Sequence, residues 1–228
     1  MIYYTKMSTK KAIKIMTEEH YMRVRETVMS MLIKRGYDPK NLNINIDENT
    51  LKAQFKLATK DGQHNACDIF VKRSSDENYK NTQALVHYIL NEKATYKNVE
   101  DVLKKMIDIY DMKDVDDIVI VIGHDLVDEL NPFYTLEEKY NNVVVFHHKN
   151  LAIDITNHKL VPPHIKITNK SEINEIKKEL KIDSLMKLPV LLRTDAVARF
   201  YHYRKGDLIK IVRPSIGNFK HEAYRIVV

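Results

Sequence analysis

Residues 118–122 read Ile-Val-Ile-Val-Ile, an uninterrupted run of β-branched side chains. A run that is apolar on both faces is typical of a central parallel strand, because helices cover such a sheet on both sides. A second run, Val-Val-Val-Phe-His at residues 143–147, has the same character. The two runs therefore predict an α/β layer in which parallel strands alternate with helices.

Helical patterns lie on the N-terminal side of these strands. The first helix is predicted over residues 17–36, where Thr17 can cap the first turn and Gly36 can end the helix. Two more helices are predicted over residues 79–91 and 98–111, because apolar side chains recur there at three- and four-residue steps.

A β-hairpin is predicted between the first and second of these helices. Residues 51–57 alternate apolar and polar side chains, which favours a half-buried strand. Asp61-Gly62 is a typical hairpin turn, and it would lead into a second strand over residues 66–72. The sequence up to residue 152 thus predicts an α/β domain, a mixed sheet with flanking helices.

The pattern changes after residue 152. A strand-like segment at residues 151–156 leads to Pro162-Pro163, and an amphipathic helix follows from residue 170. Asp195 can cap a short helix, and Lys205-Gly206-Asp207 predicts a tight turn between the last strands, 208–212 and 223–228. We therefore divide the chain into a tail (1–16), an α/β domain (17–152) and a small α+β domain (153–228).

The composition excludes several classes of protein. The 228 residues include 37 basic and 31 acidic side chains, a net charge of +6, with 44% apolar residues, which is typical of a folded chain. The charge is +5 over residues 1–35, −7 over 36–148 and +8 over 149–228. No apolar run is long enough to suggest a membrane span or a secretory signal. The single cysteine, Cys67, cannot form an internal disulfide, which favours a reducing compartment, and its apolar neighbours favour a buried structural thiol.

Enzyme motifs are absent from the sequence. There are only 5 glycines, and neither a P-loop nor a dinucleotide-binding fingerprint occurs. His147 and His148 would point to opposite faces of a strand, and no metal-ligand spacing includes them, so we predict no metal site and no cofactor.

The one enzyme class that the sequence superficially suggests is a metal-dependent nuclease. Asp61 and Asp68 lie near Lys72 in the sequence, but the close carboxylate–lysine spacing that such a site needs is missing there. The segment Glu137-Glu138-Lys139 has that spacing, but its pattern predicts a solvated helix surface.

The last 75 residues carry a specific resemblance. The segments that carry it are Ile155–Ile165, Leu188-Pro189, Asp195–Phe200, Arg204–Arg213 and Tyr224–Val228. In this order and spacing they resemble the assembly domain of the RNA polymerase subunit 5 family, the small subunit that the eukaryotic nuclear polymerases share and that archaeal polymerases also contain. The helix Tyr21–Gly36, the region around Phe55, Asp61-Gly62 and Ile118–Ile122 resemble the jaw domain of the eukaryotic form. A chain with both domains resembles eukaryotic or large-DNA-virus members.

The sequence departs from the family pattern at three places. The family's Asp-Pro-Val-Ala is Asp195-Ala196-Val197-Ala198 here, and its Leu-Gly-Leu is Tyr201-His202-Tyr203. The loop after the central strand, which lies near downstream DNA in the family, is Gly123-His124-Asp125-Leu126-Val127 here. An acidic side chain in that loop weakens the case for a phosphate contact.

The resemblance implies a non-catalytic subunit of a multisubunit DNA-directed RNA polymerase. It implies that the assembly domain docks on the largest subunit and that the jaw domain guides downstream duplex DNA weakly, without reading its sequence. It further implies a nuclear location in a cell, or a virion or cytoplasmic viral factory for a large DNA virus. The alternatives are a nuclease-like protein and a free nucleic-acid-binding adaptor.

Candidate site residues follow from the charges. Arginine is suited to partner carboxylates, and lysine and arginine to phosphate groups. The candidates for partner binding are His164, Asp195, Arg199, Arg204, Lys205, Lys210, Arg213 and Arg225. The candidates for DNA binding are Arg23, Arg25, Lys34, Arg35 and His124.

Overall fold

The first two thirds of the protein contain a four-stranded mixed sheet. The computed structural model describes residues 16–42, 46–60, 64–73, 83–90, 94–114, 116–123, 131–214 and 220–228. The sheet has the order β1 (Ile69–Lys72), β2 (Gln83–Ile89), β3 (Asp117–Ile122) and β4 (Val143–His147). Strand β1 pairs antiparallel with β2, whereas β2, β3 and β4 are mutually parallel. The mixed sheet and the central parallel strand are as predicted.

Helices cover both faces of this sheet. Helices α1 (Glu18–Lys34) and α2 (Glu48–Lys60) pack on one face, and α3 (Tyr96–Tyr110) and α4 (Asn131–Lys139) pack on the other. Because side chains alternate along a strand, β3 gives Val119 and Val121 to the first core and Ile118, Ile120 and Ile122 to the second. All six residues of β3 are buried, which explains its uninterrupted apolar sequence.

A second, smaller sheet forms the last third of the chain. Its strand order is β5 (His164–Ile167), β7 (Leu208–Pro214), β8 (Lys220–Val227) and β6 (Val190–Leu191). Helix α5 (Lys170–Glu179) packs on one face of the sheet, and the short helix α6 (Ala196–Tyr201) packs on the other. Of the described helices, none is both long and apolar enough to span a membrane.

Three secondary-structure predictions are wrong, two of them in the first domain. Residues 51–57 lie in helix α2, because Leu51, Phe55 and Ala58 also have helical spacing and turn their side chains toward α1 and the sheet. Residues 83–89 form the strand β2 and not a helix. Leu85 and Ile89 are four residues apart, as in a helix, but in the strand they lie on the same face.

The predicted hairpin is therefore absent. Its turn, Asp61-Gly62, lies outside the described residues, and the segment before it is helical. The second of its predicted strands begins at Ile69, after a short 3₁₀ helix at His64–Cys67.

The segment between the two sheets is not a strand either. Two 3₁₀ helices, His148–Leu151 and Ile155–Asn157, occupy the region that the sequence predicts to be extended at residues 151–156. The side chain of Asp154 caps the second of them by accepting hydrogen bonds from the Thr156 backbone N–H (2.9 Å) and hydroxyl (2.6 Å).

Helix α1 ends in a motif that glycine makes possible. Gly36 has a φ of +89°, and the N–H groups of Gly36 and Tyr37 donate to the carbonyls of Ile33 and Leu32 (2.9 and 3.0 Å). This is a Schellman motif, in which the residue after the helix takes the left-handed conformation. The motif directs Tyr37 toward the start of β3.

Candidate functional site

Charged side chains join the two domains along one line of contacts. We call this the interdomain seam. On the N-terminal side it comprises Lys34, Arg35, Tyr37, Asp117 and Glu137, and on the C-terminal side Asp154, Arg193, Arg199, Phe200, His202 and Arg204. Helix α6 lies at its centre.

Arg199 is a buried member of the seam. Its two Nη atoms donate to the two carboxylate oxygens of Glu137, each at 2.9 Å, and Nη2 also donates to the carbonyl of Val145 at 2.5 Å. The guanidinium lies close to the rings of Tyr134 (4.9 Å) and Phe146 (5.1 Å). Since Arg199 is only 6% exposed, it does not lie on a surface where a partner subunit could reach it.

Glu137 is buried as well, although its sequence predicts a solvated position. It also accepts the N–H of Val145 at 2.7 Å, and its backbone carbonyl accepts Nη2 of Arg193 at 3.1 Å. Burial raises the pKa of the Glu137 carboxyl, against the effect of Arg199 and of the Val145 N–H. The Glu137 carboxylate therefore accepts hydrogen bonds from both domains, from Val145 in the N-terminal domain and from Arg199 in the C-terminal domain.

Arg35 binds the end of helix α6. Its Nε donates to the carbonyl of Phe200 (2.8 Å), and its Nη2 donates to the carbonyl of Arg199 (3.0 Å). The last carbonyls of a helix have no partner within it and attract cations. Arg35 is 6% exposed, so the expectation of a DNA-facing side chain is corrected: its charge is used inside the protein.

Lys34 binds the segment between the two sheets. Its Nζ is 2.8 Å from Asp154 Oδ2, 2.6 Å from Thr156 Oγ1 and 2.8 Å from Asn157 Oδ1. The Ser30 hydroxyl donates to the same Asp154 oxygen at 2.7 Å. Burial raises the pKa of Asp154, but the hydrogen bonds from Lys34, Thr156 and Ser30 hold it below its usual range. Lys34 is thus engaged with the protein's own polar groups.

Asp117 receives groups from both domains. The Tyr37 hydroxyl donates to its Oδ2 at 2.8 Å, and His202 Nδ1 is 3.0 Å from its Oδ1. Arg204 Nη2 is 3.7 Å from Oδ1. Burial raises the pKa of Asp117, but the hydrogen bond from His202, the charge of Arg35 and the hydrogen bond from Tyr37 outweigh burial and hold it well below its usual range. Asp117 is therefore an ionised, buried acceptor.

The other candidates for partner binding have mixed environments. Asp195 caps α6 by accepting the N–H groups of Val197 and Ala198, as predicted. Lys210 pairs with Glu222 at 2.7 Å. The remaining candidates have these positions: His164 Nδ1 is 2.7 Å from the carbonyl of Pro162, Arg225 Nη1 donates to the carbonyl of Val190 at 3.0 Å, and Lys205 and Arg213 are exposed.

The predicted DNA-binding cations do not form one surface. Arg25 is buried (7% exposed), whereas Arg23 is exposed. A groove of about 730 Å³ between α1 and α2 is lined by both, but Glu19, Glu26 and Glu48 line it too. These carboxylates oppose the binding of phosphate groups in the groove. His124 lies outside the described residues.

Exposed apolar side chains are concentrated in the C-terminal domain. Of the ten large apolar residues that are exposed among those described, seven lie between residues 153 and 192. They are Ile153 (76% exposed), Leu160 (82%), Ile165 (48%), Leu180 (40%), Met186 (68%), Val190 (49%) and Leu192 (57%). Single apolar residues are normal at a surface, whereas a contiguous apolar patch marks a contact with another protein, so these seven residues are candidates for such a contact.

Several histidine side chains of the interior lie against aspartate or against another histidine. The rings of His147 and His148 are 4.4 Å apart and do not point to opposite faces, because His148 begins a 3₁₀ helix. Across the described residues, no three His, Cys, Asp or Glu side chains are arranged to hold a metal ion. Asp68, a candidate for a nuclease site, is buried against His87 Nδ1 (2.7 Å) and the hydroxyl of Tyr110 (3.1 Å).

Cys67 is fully buried, as predicted. Burial raises the pKa of its thiol to about 11. A thiol of this kind is a poor nucleophile at neutral pH, because the thiolate is the reactive form.

Similarity to known proteins covers both domains. The model for the N-terminal domain of RNA polymerase Rpb5 matches residues 16–106, and the model for its C-terminal domain matches residues 153–227. The DNA-directed RNA polymerases I, II, and III subunit RPABC1 of Caenorhabditis elegans is 26% identical over 215 residues, 90% of this chain and 94% of that protein. Its namesake in Dictyostelium discoideum is 30% identical over 132 residues, 55% of this chain and 64% of that protein. With both family models matched in order and together covering most of its length, the chain belongs to the RNA polymerase Rpb5 family.

Proposed function

We propose that this protein is a non-catalytic subunit of a multisubunit DNA-directed RNA polymerase and acts in transcription. The relatives are named as subunits of RNA polymerases I, II and III, and the chain matches them along nearly its whole length. The observation that carries the proposal is the match of both family models, in order, along the chain. The exposed apolar side chains of the C-terminal domain are candidates for the contact with a partner.

The C-terminal domain docks on the largest polymerase subunit in this proposal. Leu160 and Val190 are exposed apolar side chains on its surface, and Lys205 and Arg213 are exposed cations in the same domain. Leu160 precedes β5 and Val190 lies on β6, the two edge strands of the second sheet, so the two residues probe different parts of the domain surface. Interfaces commonly combine apolar and charged side chains. The buried Arg199 is not part of this surface.

The N-terminal domain forms part of the jaw that guides downstream duplex DNA. Of the predicted DNA-binding residues that the structure describes, Arg23 is the exposed one. We therefore expect a weak contribution from phosphate neutralisation, without base readout. The location follows the host: the nucleus of a cell, or the virion or cytoplasmic factory of a large DNA virus.

Copurification tests the subunit role. The full-length chain, tagged and isolated from its native source at moderate salt, is expected to recover the two large polymerase subunits. Leu160→Asp together with Val190→Asp is expected to abolish that recovery. Ile109→Asp is the matched control, because Ile109 is 59% exposed but lies on α3 of the N-terminal domain. Recovery of the chain as a monomer without polymerase subunits would contradict the proposal.

Fluorescence anisotropy with a duplex of arbitrary sequence tests the DNA contact. We expect weak binding by the free chain that decreases as salt is raised, and weaker binding for Arg23→Ala. Lys178→Ala, which removes an exposed cation on α5, is the control. Tight, sequence-selective binding would contradict the proposal.

A further inference from the structure

His202 has a left-handed backbone conformation, which Asp111 and Lys181 also adopt just after helices. It follows α6 with φ +53° and ψ +48°, in the left-handed region. The N–H groups of His202 and Tyr203 donate to the carbonyls of Arg199 and Ala198 (3.0 and 2.9 Å), so the helix ends in the same motif that ends α1. At the corresponding position of α1 the residue is Gly36. Glycine takes this conformation without strain, whereas a residue with a Cβ does not.

The turn itself does not need a histidine, but the side chain makes a contact that glycine could not. The imidazole is buried, 6% exposed, and its Nδ1 lies 3.0 Å from Oδ1 of Asp117. Asp117 begins β3, the central strand of the other domain. Lys181, which ends α5 in the same conformation, is exposed, so it is the buried contact with Asp117 that distinguishes His202.

The hydrogen-bond pattern fixes the state of the ring. Asp117 is an ionised acceptor, so Nδ1 carries the proton and donates it. The Nε2 atom is buried and has no hydrogen-bond partner among the described residues, which is compatible with the deprotonated nitrogen of a neutral ring. A neutral imidazole with its proton on Nδ1 is therefore the form that fits this site.

The two carboxylate oxygens of Asp117 receive groups from different domains. The hydroxyl of Tyr37 occupies Oδ2 from the N-terminal side, which leaves Oδ1 for His202 and Arg204 from the C-terminal side. His202 comes directly after the end of α6, whose last carbonyls Arg35 binds. Helix α6 is thus bound to the N-terminal domain through its last backbone carbonyls, which accept from Arg35, and through the His202 side chain just after it, which contacts Asp117.

We propose that His202 is a positioning residue that fixes the C-terminal domain against β3 of the N-terminal domain through Asp117. Removing its side chain leaves the turn intact and widens the range of orientations of the C-terminal domain, which Arg35, Arg199 and Phe200 continue to hold against the N-terminal domain. This role belongs to the chain itself and does not depend on assembly into a polymerase.

Spin-label distances in the full chain test this inference. Labels at Lys105→Cys on α3 and Glu175→Cys on α5 are both on exposed positions, one in each domain, and the buried Cys67 is expected not to react in the folded state. We expect one narrow distance distribution for the parent chain and a broader one for His202→Gly, which keeps the left-handed turn free of strain. His221→Ala, which removes an exposed histidine of β8, is the control and is expected to leave the distribution narrow.

Two further measurements separate positioning from general stability. Asp117→Ala removes the acceptor of His202 and also that of Tyr37, so it is expected to broaden the distribution at least as much as His202→Gly does. Adding His202→Gly to Asp117→Ala is expected to broaden it no further, because the contact is already lost. Nitrogen-15 NMR of the His202 ring is expected to show a neutral ring with its proton on Nδ1 at pH 7. An unchanged, narrow distribution in His202→Gly would overturn the inference, as would a ring with its proton on Nε2.

Discussion

The guanidinium of Arg199 and the carboxylate of Glu137, 62 residues apart in the chain, form two parallel hydrogen bonds of 2.9 Å in the interior of the protein. Two cations predicted to bind external partners, Arg199 and Arg35, are therefore components of the fold. Their charge holds the two domains together.

Breaking this pair is expected to destabilise the protein strongly. Arg199→Ala leaves the Glu137 carboxylate buried without its cation, which costs about 3–5 kcal/mol of the free energy of unfolding. Urea denaturation measures it. The control is Lys187→Ala, which removes an exposed pair with Asp183 (side chains 60% and 76% exposed) and is expected to change the stability little. Equal losses in the two variants would contradict the buried role of Arg199.

The stability of the protein is expected to fall on acidification below neutral pH. Burial lowers the pKa of His202, against the effect of Asp117, so the unfolded chain binds a proton there more readily than the folded protein. The stabilisation is present above the ordinary pKa of ~6.5 and is lost as pH falls toward the lowered value. Asp117, whose pKa is also lowered, adds a second loss below about pH 4. Tyr37, Arg204 and Arg35 face the same site.

Thermal unfolding over the mildly acidic to neutral range measures this dependence. His202→Asn tolerates the left-handed turn and does not titrate, so its midpoint is expected to vary less over this range than that of the parent chain. His158→Asn, at an exposed position, is expected to behave like the parent chain. If the unfolding midpoint of His202→Asn varied with pH as much as that of the parent chain, the pH dependence would arise from another group.

Phe200 is expected to contribute to the stability of the N-terminal domain, although it belongs to the C-terminal domain in sequence. Its side chain is 2% exposed and lies in the core that α1 and α2 form with the first sheet. Phe200→Ala removes a buried ring and costs about 3–5 kcal/mol. Hydrogen exchange is expected to show faster exchange in α1, and Leu192→Ala, at a position that is 57% exposed, is expected to leave it unchanged. Loss of protection confined to the second sheet would contradict this assignment.

Cys67 is expected to be inert in the folded protein. With a pKa of about 11 and no exposure, it reacts with a thiol reagent only after unfolding. Ellman's reagent measures this with and without denaturant. Ser171→Cys, at an exposed position of α5, is expected to react at once under native conditions. Rapid labelling of Cys67 in the native parent chain would show that α1 opens away from the sheet.

The sequence predicts the elements in which the pattern has one interpretation. The helix at α1 has a capping residue, acidic first-turn side chains and a terminal glycine, and all three are present in the structure. The strand β3 is apolar on both faces and is central. The sequence pattern predicts a strand where helix α2 lies and a helix where strand β2 lies. A short segment such as residues 51–57 fits both the helical and the strand periodicity, and only its tertiary neighbours select one of the two.

The seam could not be predicted from the sequence in the same way. The carbonyls that Arg35 binds are 164 and 165 residues away in the chain, and no local pattern indicates such an acceptor. Asp117 offered a weak signal, since a carboxylate directly before a wholly apolar strand is placed where it must find a partner. Charge counts identify cations, but they do not show which ones the fold itself uses.

The position of Phe200 in the N-terminal core also sets the order in which the protein can be completed during synthesis. The N-terminal domain leaves the ribosome first, yet one of its core side chains, Phe200, belongs to helix α6, which is synthesised later. Until that residue emerges, the surface of α1 that it covers stays open to water and to other nascent chains. A product that terminates before α6 therefore exposes an unfilled apolar site, which makes it a substrate for chaperones and proteases.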